Sequence, residues 1–65
     1  MQLIVNGKSK ETQSNTIKNL LDELKIDEKV MAVAVNMNVV KKENWNSFEF
    51  SEGDKVEFLE FVGGG

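Results

Sequence analysis

The side chains that most often carry chemistry are missing from this chain of 65 residues, which has no cysteine and no histidine. Without cysteine there is no disulfide, no thiolate metal site and no cysteine nucleophile. Without histidine the commonest general base and the commonest metal ligand are also gone. What stands out instead is the closing stretch "FVGGG", three glycines after a strand-like apolar run. Glycine loses more backbone freedom on ordering than any other residue, so Gly63, Gly64 and Gly65 are expected to be mobile in the free protein. A frayed terminus would read the same way. The sharper expectation is that the tail is the working part and the rest of the chain presents it.

Length and charge narrow what the body can be. Sixty-five residues make one domain, which buries only about 60% of the surface its unfolded chain exposes, so stability is expected to be a few kcal/mol. A deep catalytic pocket does not fit so small a body, and intrinsic enzyme activity is not expected. Hydrophobic residues make up 40% and charged residues 29%, a globular composition. Eleven acidic residues against eight basic ones give a net charge of −3. An acidic chain whose only adjacent basic pair is Lys41-Lys42 is a poor ligand for a phosphate backbone, so no nucleic-acid partner is expected. The first apolar run, Leu3-Ile4-Val5, is too short for a signal peptide, and nothing approaches the roughly 20 apolar residues of a membrane span. A cytoplasmic, soluble protein is expected.

The elements that position the tail are legible as changes of period. "MQLIVNGKSKET" reads as two strands joined at Asn6-Gly7, because a type I′ hairpin turn needs positive φ at both central residues. Alternation puts Met1, Leu3 and Val5 on the core face and Ile4 on the other. In "SNTIKNLLDELKID", Ile17, Leu20, Leu21 and Leu24 form one helical stripe. Thr16 is the expected N-cap, and Asn19, Asp22 and Glu23 are left for solvent. "VMAVAVNMNVVKK" reads as a third and a short fourth strand around a connection at Met37-Asn38. Val33 and Val35 should face the helix, while Ala32 and Ala34 leave a shallow outer face that another protein could approach. "ENWNSFEF" is expected to be irregular, with Trp45 as partly buried support.

The last strand, "SEGDKVEFLEFV", is entered through Gly53-Asp54 and changes character along its length. Val56 and Phe58 continue the core face, opposite Lys55 and Glu57. Leu59 and Phe61 then fall on the Lys55/Glu57 side, and Glu60 takes the apolar one. Such a strand is leaving the core, so Leu59 and Phe61 should be exposed, close to Ile4 on the neighbouring strand. An exposed apolar cluster beside the tail is the expected partner-binding surface.

Strand, strand, helix, strand, short strand, strand gives an α+β layer pair, a mixed sheet with one main helix on one face. That order, followed by a glycine tail, resembles the β-grasp fold of ubiquitin-like proteins. More narrowly it is similar to the ThiS family, the prokaryotic sulfur carriers of thiazole biosynthesis. The likeness is carried by "MQLIVNG", "TIKNLLDEL", "AVAVN", "KKENW" and "EGDKVEFLEFVGGG", which together span nearly the whole chain. It implies a β-grasp domain over residues 1–62 and a flexible tail over 63–65. It also implies that Gly65 is the site of covalent modification. An E1-like adenylyltransferase of the ThiF type would use ATP to convert its carboxylate to an acyl-adenylate. A sulfur donor protein would then supply the sulfur of a thiocarboxylate, which passes to a thiazole synthase of the ThiG type. Gly64 and Gly63 would thread the partner's active site, and no cofactor would be bound by the chain itself. The alternatives are the small subunit of molybdopterin synthase, and a β-grasp interaction module with an inert tail.

Overall fold

The computed structural model describes residues 1–61, and the expected tail at 63–65 lies outside them, as does the boundary drawn after Val62. Five strands and one α-helix follow the expected order. They are β1 (Gln2–Val5), β2 (Lys8–Glu11), α1 (Ile17–Leu24), β3 (Val30–Val35), β4 (Asn38–Val40) and β5 (Lys55–Glu60), with a 3-10 turn at Lys42–Asn44. The strands form one mixed sheet in the order β2-β1-β5-β3-β4. The last strand is thus the central one, parallel to β1 and antiparallel to β3. This is the β-grasp arrangement.

Local chemistry explains the first half. Asn6 and Gly7 both take positive φ, +48° and +83°, and let Val5 pair directly with Lys8. The Thr16 hydroxyl accepts from the Asn19 amide at 3.1 Å and starts α1. Lys25, at φ +60°, ends it: its amide donates to the Asp22 carbonyl, and the Ile26 amide reaches back to Leu21 at 3.0 Å. Ile17, Leu20 and Leu21 are fully buried against Leu3, Val33, Val35 and Val56 of the sheet.

The core differs from the expected one at its margins. Val5, Leu24 and Phe58 are only half-buried, whereas Val30 and Phe50 belong to the core, and Trp45 is buried more completely than expected. Val30 joins Val33 on the inner side because a register shift against β5 interrupts the alternation between Val30 and Ala32. "ENWNSFEF" is irregular but not loose. Trp45 is 4% exposed, and its indole Nε1 donates to the Val40 carbonyl at 2.9 Å. The Phe50 amide donates to the Asn15 carbonyl at 2.7 Å, closing the layer beside the helix N-terminus.

One turn is displaced from its expected place. Val35 pairs with Asn38, so the β3–β4 turn is made by Asn36-Met37, at φ +51° and +71°, and not by Met37-Asn38. The cause is tertiary. The Asn36 side chain donates to the Asp54 carboxylate and accepts from the Lys55 amide, both at 3.0 Å, which ties the turn to the start of β5. Met37 is held in a left-handed conformation at a cost of about 1 kcal/mol.

The β2–α1 connection is fastened by one carboxylate. Thr12 is buried and its hydroxyl donates to Glu23, as does that of Ser14 at 2.7 Å, while Lys10 lies 3.2 Å away. These hydrogen bonds, Thr12's foremost, hold the Glu23 carboxyl below its ordinary value of 4.5. A group more acidic in the folded than in the unfolded chain stabilises the fold above its unfolded value and loses that contribution as pH falls through the folded one. Asp27, lowered chiefly by its hydrogen bond from Lys18, adds to the same loss. Urea unfolding between about pH 6 and about pH 3 should therefore show stability declining with acid. Glu23→Gln should make that decline shallower. An unchanged slope would remove Glu23 from the acid response.

Candidate functional site

A broad depression between β2 and α1 is not a reactive site. It is lined by Glu11, Thr12, Gln13, Ser14, Asn19, Asp22 and Glu23, and the hydroxyls of Thr12 and Ser14 are already committed to Glu23. Its lining carries no surplus of cations. Among the described residues no cluster of acidic side chains could hold a metal ion, and no helix is long and apolar enough to cross a membrane.

The other face of the sheet is different. Pairing sets Ala32 opposite Leu59, and Ala34 between Glu57 on one side and Val39 on the other. Residues paired across a sheet share a face, so Ala32, Ala34, Val39 and Leu59 form one apolar surface away from the helix. The two methyl side chains leave a shallow depression walled by Val39, Glu57 and Leu59. Leu59 is 62% exposed and Phe61, just past the strand, 61%. The Phe61 amide donates to the Lys29 carbonyl at 2.6 Å, so the chain is still held to the sheet where the described residues end. β5 therefore leads from the centre of the sheet, past an apolar surface, toward Val62 and the three glycines.

Ile4 does not belong to that cluster. The parallel register sets it beside Lys55, four residues before Leu59, which along a strand is roughly 13 Å. It is half-buried and lines a separate hollow with Gly7, Met37 and Lys55. Strand order alone makes Ile4 and Leu59 neighbours; the register separates them. Conversely, Val39 is 75% exposed and extends the apolar surface, although the run Val39-Val40 gave no alternation from which to assign its face. Gly63, Gly64 and Gly65 lie outside the described residues.

Comparison with known proteins adds a consistent set of likenesses. The family model described as the ThiS family matches residues 3–65. The "Sulfur carrier protein ThiS" of Bacillus subtilis is 32% identical over 65 residues, covering 97% of this chain and 98% of that one. A "Thiazole synthase" of Paramagnetospirillum magneticum is 36% identical over 66 residues. That match takes in all of this chain but only 20% of the relative's length. Among solved structures, the crystal structure of the thiamine biosynthesis protein ThiS from Geobacter metallireducens superposes with a TM-score of 0.82 at 37% identity, with complete coverage of both chains. An NMR structure of a thiamine biosynthesis protein from the same organism gives 0.79 at 35% identity, covering all of this chain and 88% of that one.

Proposed function

This chain belongs to the ThiS family, and we propose from that premise that it carries sulfur for thiamin thiazole biosynthesis as a thiocarboxylate on Gly65. The observation that carries this reading is the extent of the family match, which runs through residue 65 and so includes the glycine tail. The chain is a small carrier on which enzymes act. A carboxylate is a poor acyl donor, being anionic and lacking a good leaving group. Adenylation of Gly65 by an E1-like, ThiF-type enzyme using ATP supplies both electrophilicity and a leaving group. A sulfur donor protein then provides the sulfur, and the resulting thiocarboxylate is a good nucleophile at neutral pH. Thiazole synthase is the acceptor, a reading supported by the relative of that name that contains a segment similar to this whole chain.

The glycines suit this task. Three residues reach at most about 10 Å, enough to pass through a narrow channel from a docked body to a buried active site. Side chains would demand a wider channel, and glycine can adopt backbone angles closed to other residues. Ordering the tail costs roughly 1–2 kcal/mol per residue. Docking of Leu59, Phe61 and the neighbouring alanine surface would offset that cost. The test is the intact mass after incubation with the activating enzyme, ATP and a sulfur source. Replacement of one oxygen by sulfur is the expected result; an unchanged mass would return the chain to an interaction module with an inert tail.

The docking surface has its own test. Phe61→Ser removes an exposed ring, so the melting temperature should stay nearly unchanged while binding to both the activating enzyme and thiazole synthase weakens. Undiminished binding would move the interface away from this face.

A further inference from the structure

Among the described residues the sheet has three open edges. The outer two are blunted in familiar ways: β2 carries Lys8 and Lys10, and β4 is three residues long. The third lies inside the sheet. β1 stops at Val5 and the chain turns away at Asn6, while β5 continues to Glu60. The Asn6 amide donates to the Val56 carbonyl at 2.8 Å, and the Asn6 side-chain oxygen accepts from the Phe58 amide at 2.9 Å. A side chain thus makes the last rung that the β1 backbone would otherwise have made.

Beyond that rung no strand among the described residues pairs with the edge. Backbone groups of successive strand residues point to opposite sides. Those of Lys55 and Phe61 face β3, since the Asn36 amide donates to the Lys55 carbonyl and the Phe61 amide to that of Lys29. The Phe58 carbonyl and both backbone groups of Glu60 consequently face the side that β1 has left, where its pairing ends at Val56.

We infer that this overhang of β5 receives an extended strand of thiazole synthase, which pairs at Phe58–Glu60. The inference rests on the carrier reading. Three glycines offer a partner nothing but amides and carbonyls, so the tail must be read by backbone hydrogen bonds, as in strand addition. The incoming strand should carry apolar side chains on the face toward Leu59 and Phe61 and a basic one opposite Glu60, with no proline at the paired positions. Asn6 marks where this ladder starts.

The experiment uses the full chain and the thiazole synthase of the same genome as the probe. Amide hydrogen exchange is followed residue by residue with and without the enzyme. In a second chain, the Leu59–Glu60 amide is replaced by an ester, which removes the Glu60 N–H. Exchange at Glu60 should slow about tenfold or more in the complex. The ester should weaken binding about three- to tenfold, the change expected for one lost hydrogen bond. Binding with Glu60 unprotected and the ester chain equally tight overturns strand docking and leaves the carrier reading standing. Absence of both binding and sulfur transfer overturns the carrier reading, and this inference with it. Concentration-dependent protection without enzyme would give the edge to a second copy of the chain and overturn the inference as well.

Discussion

A chain lacking Gly65 is expected to fold normally and to take up no sulfur. In the proposed mechanism the reacting carbon is the carboxyl of Gly65, and removing one residue draws it back by about 3.5 Å. A misplacement of even 1 Å can cost about a hundredfold in rate, so a displacement several times larger should abolish adenylation. Gly64→Ala places a methyl group where the channel should be narrowest and should also block loading. Gly63→Ala is nearer the body and should be tolerated. Intact mass after treatment with the activating enzyme, ATP and a sulfur source scores all three chains, and their melting temperatures control for folding. Normal loading of the chain without Gly65 would remove the terminal carboxylate from the mechanism.

The second large effect concerns the body that holds the tail. Leu21 is fully buried at the centre of the helix stripe, against the sheet. Leu21→Ala should cost about 2–5 kcal/mol, from lost transfer energy and the cavity left behind. A domain of this size has only a few kcal/mol in total, so a substantial unfolded fraction is expected at room temperature. Leu21→Met, which conserves volume, should cost less than about 1.5 kcal/mol. Denaturant midpoints measure both. A loss below about half a kcal/mol for the alanine variant would be typical of a surface site and contradict the helix orientation.

Where period and local chemistry act alone, reading the chain succeeds. The helix stripe, the Thr16 cap and the Asn6-Gly7 hairpin each follow from a few adjacent residues. The exposure of Leu59 and Phe61 follows from their falling opposite Val56 and Phe58 along one strand. The absence of cysteine and histidine, and the three terminal glycines, likewise direct attention to the tail without any coordinates.

What the tertiary structure decided is everything set by register between segments distant in sequence. Pairing with β5 and the Asp54 carboxylate draws the β3–β4 turn back to Asn36-Met37, against the preference of methionine for negative φ. The register shift near Val30 adds a core residue that alternation assigns elsewhere. Phe50 is buried without any periodic signal, and Trp45 more completely than its residue type alone suggests, because an irregular segment can close a core where the Phe50 amide finds Asn15 and the Trp45 indole finds Val40. The parallel pairing of β1 with β5 parts Ile4 from Leu59 and, among the described residues, leaves the edge beyond Asn6 without a partner strand. A single strand's pattern fixes which way its side chains point; how far it slides along its neighbour is chosen by the packing of the whole sheet.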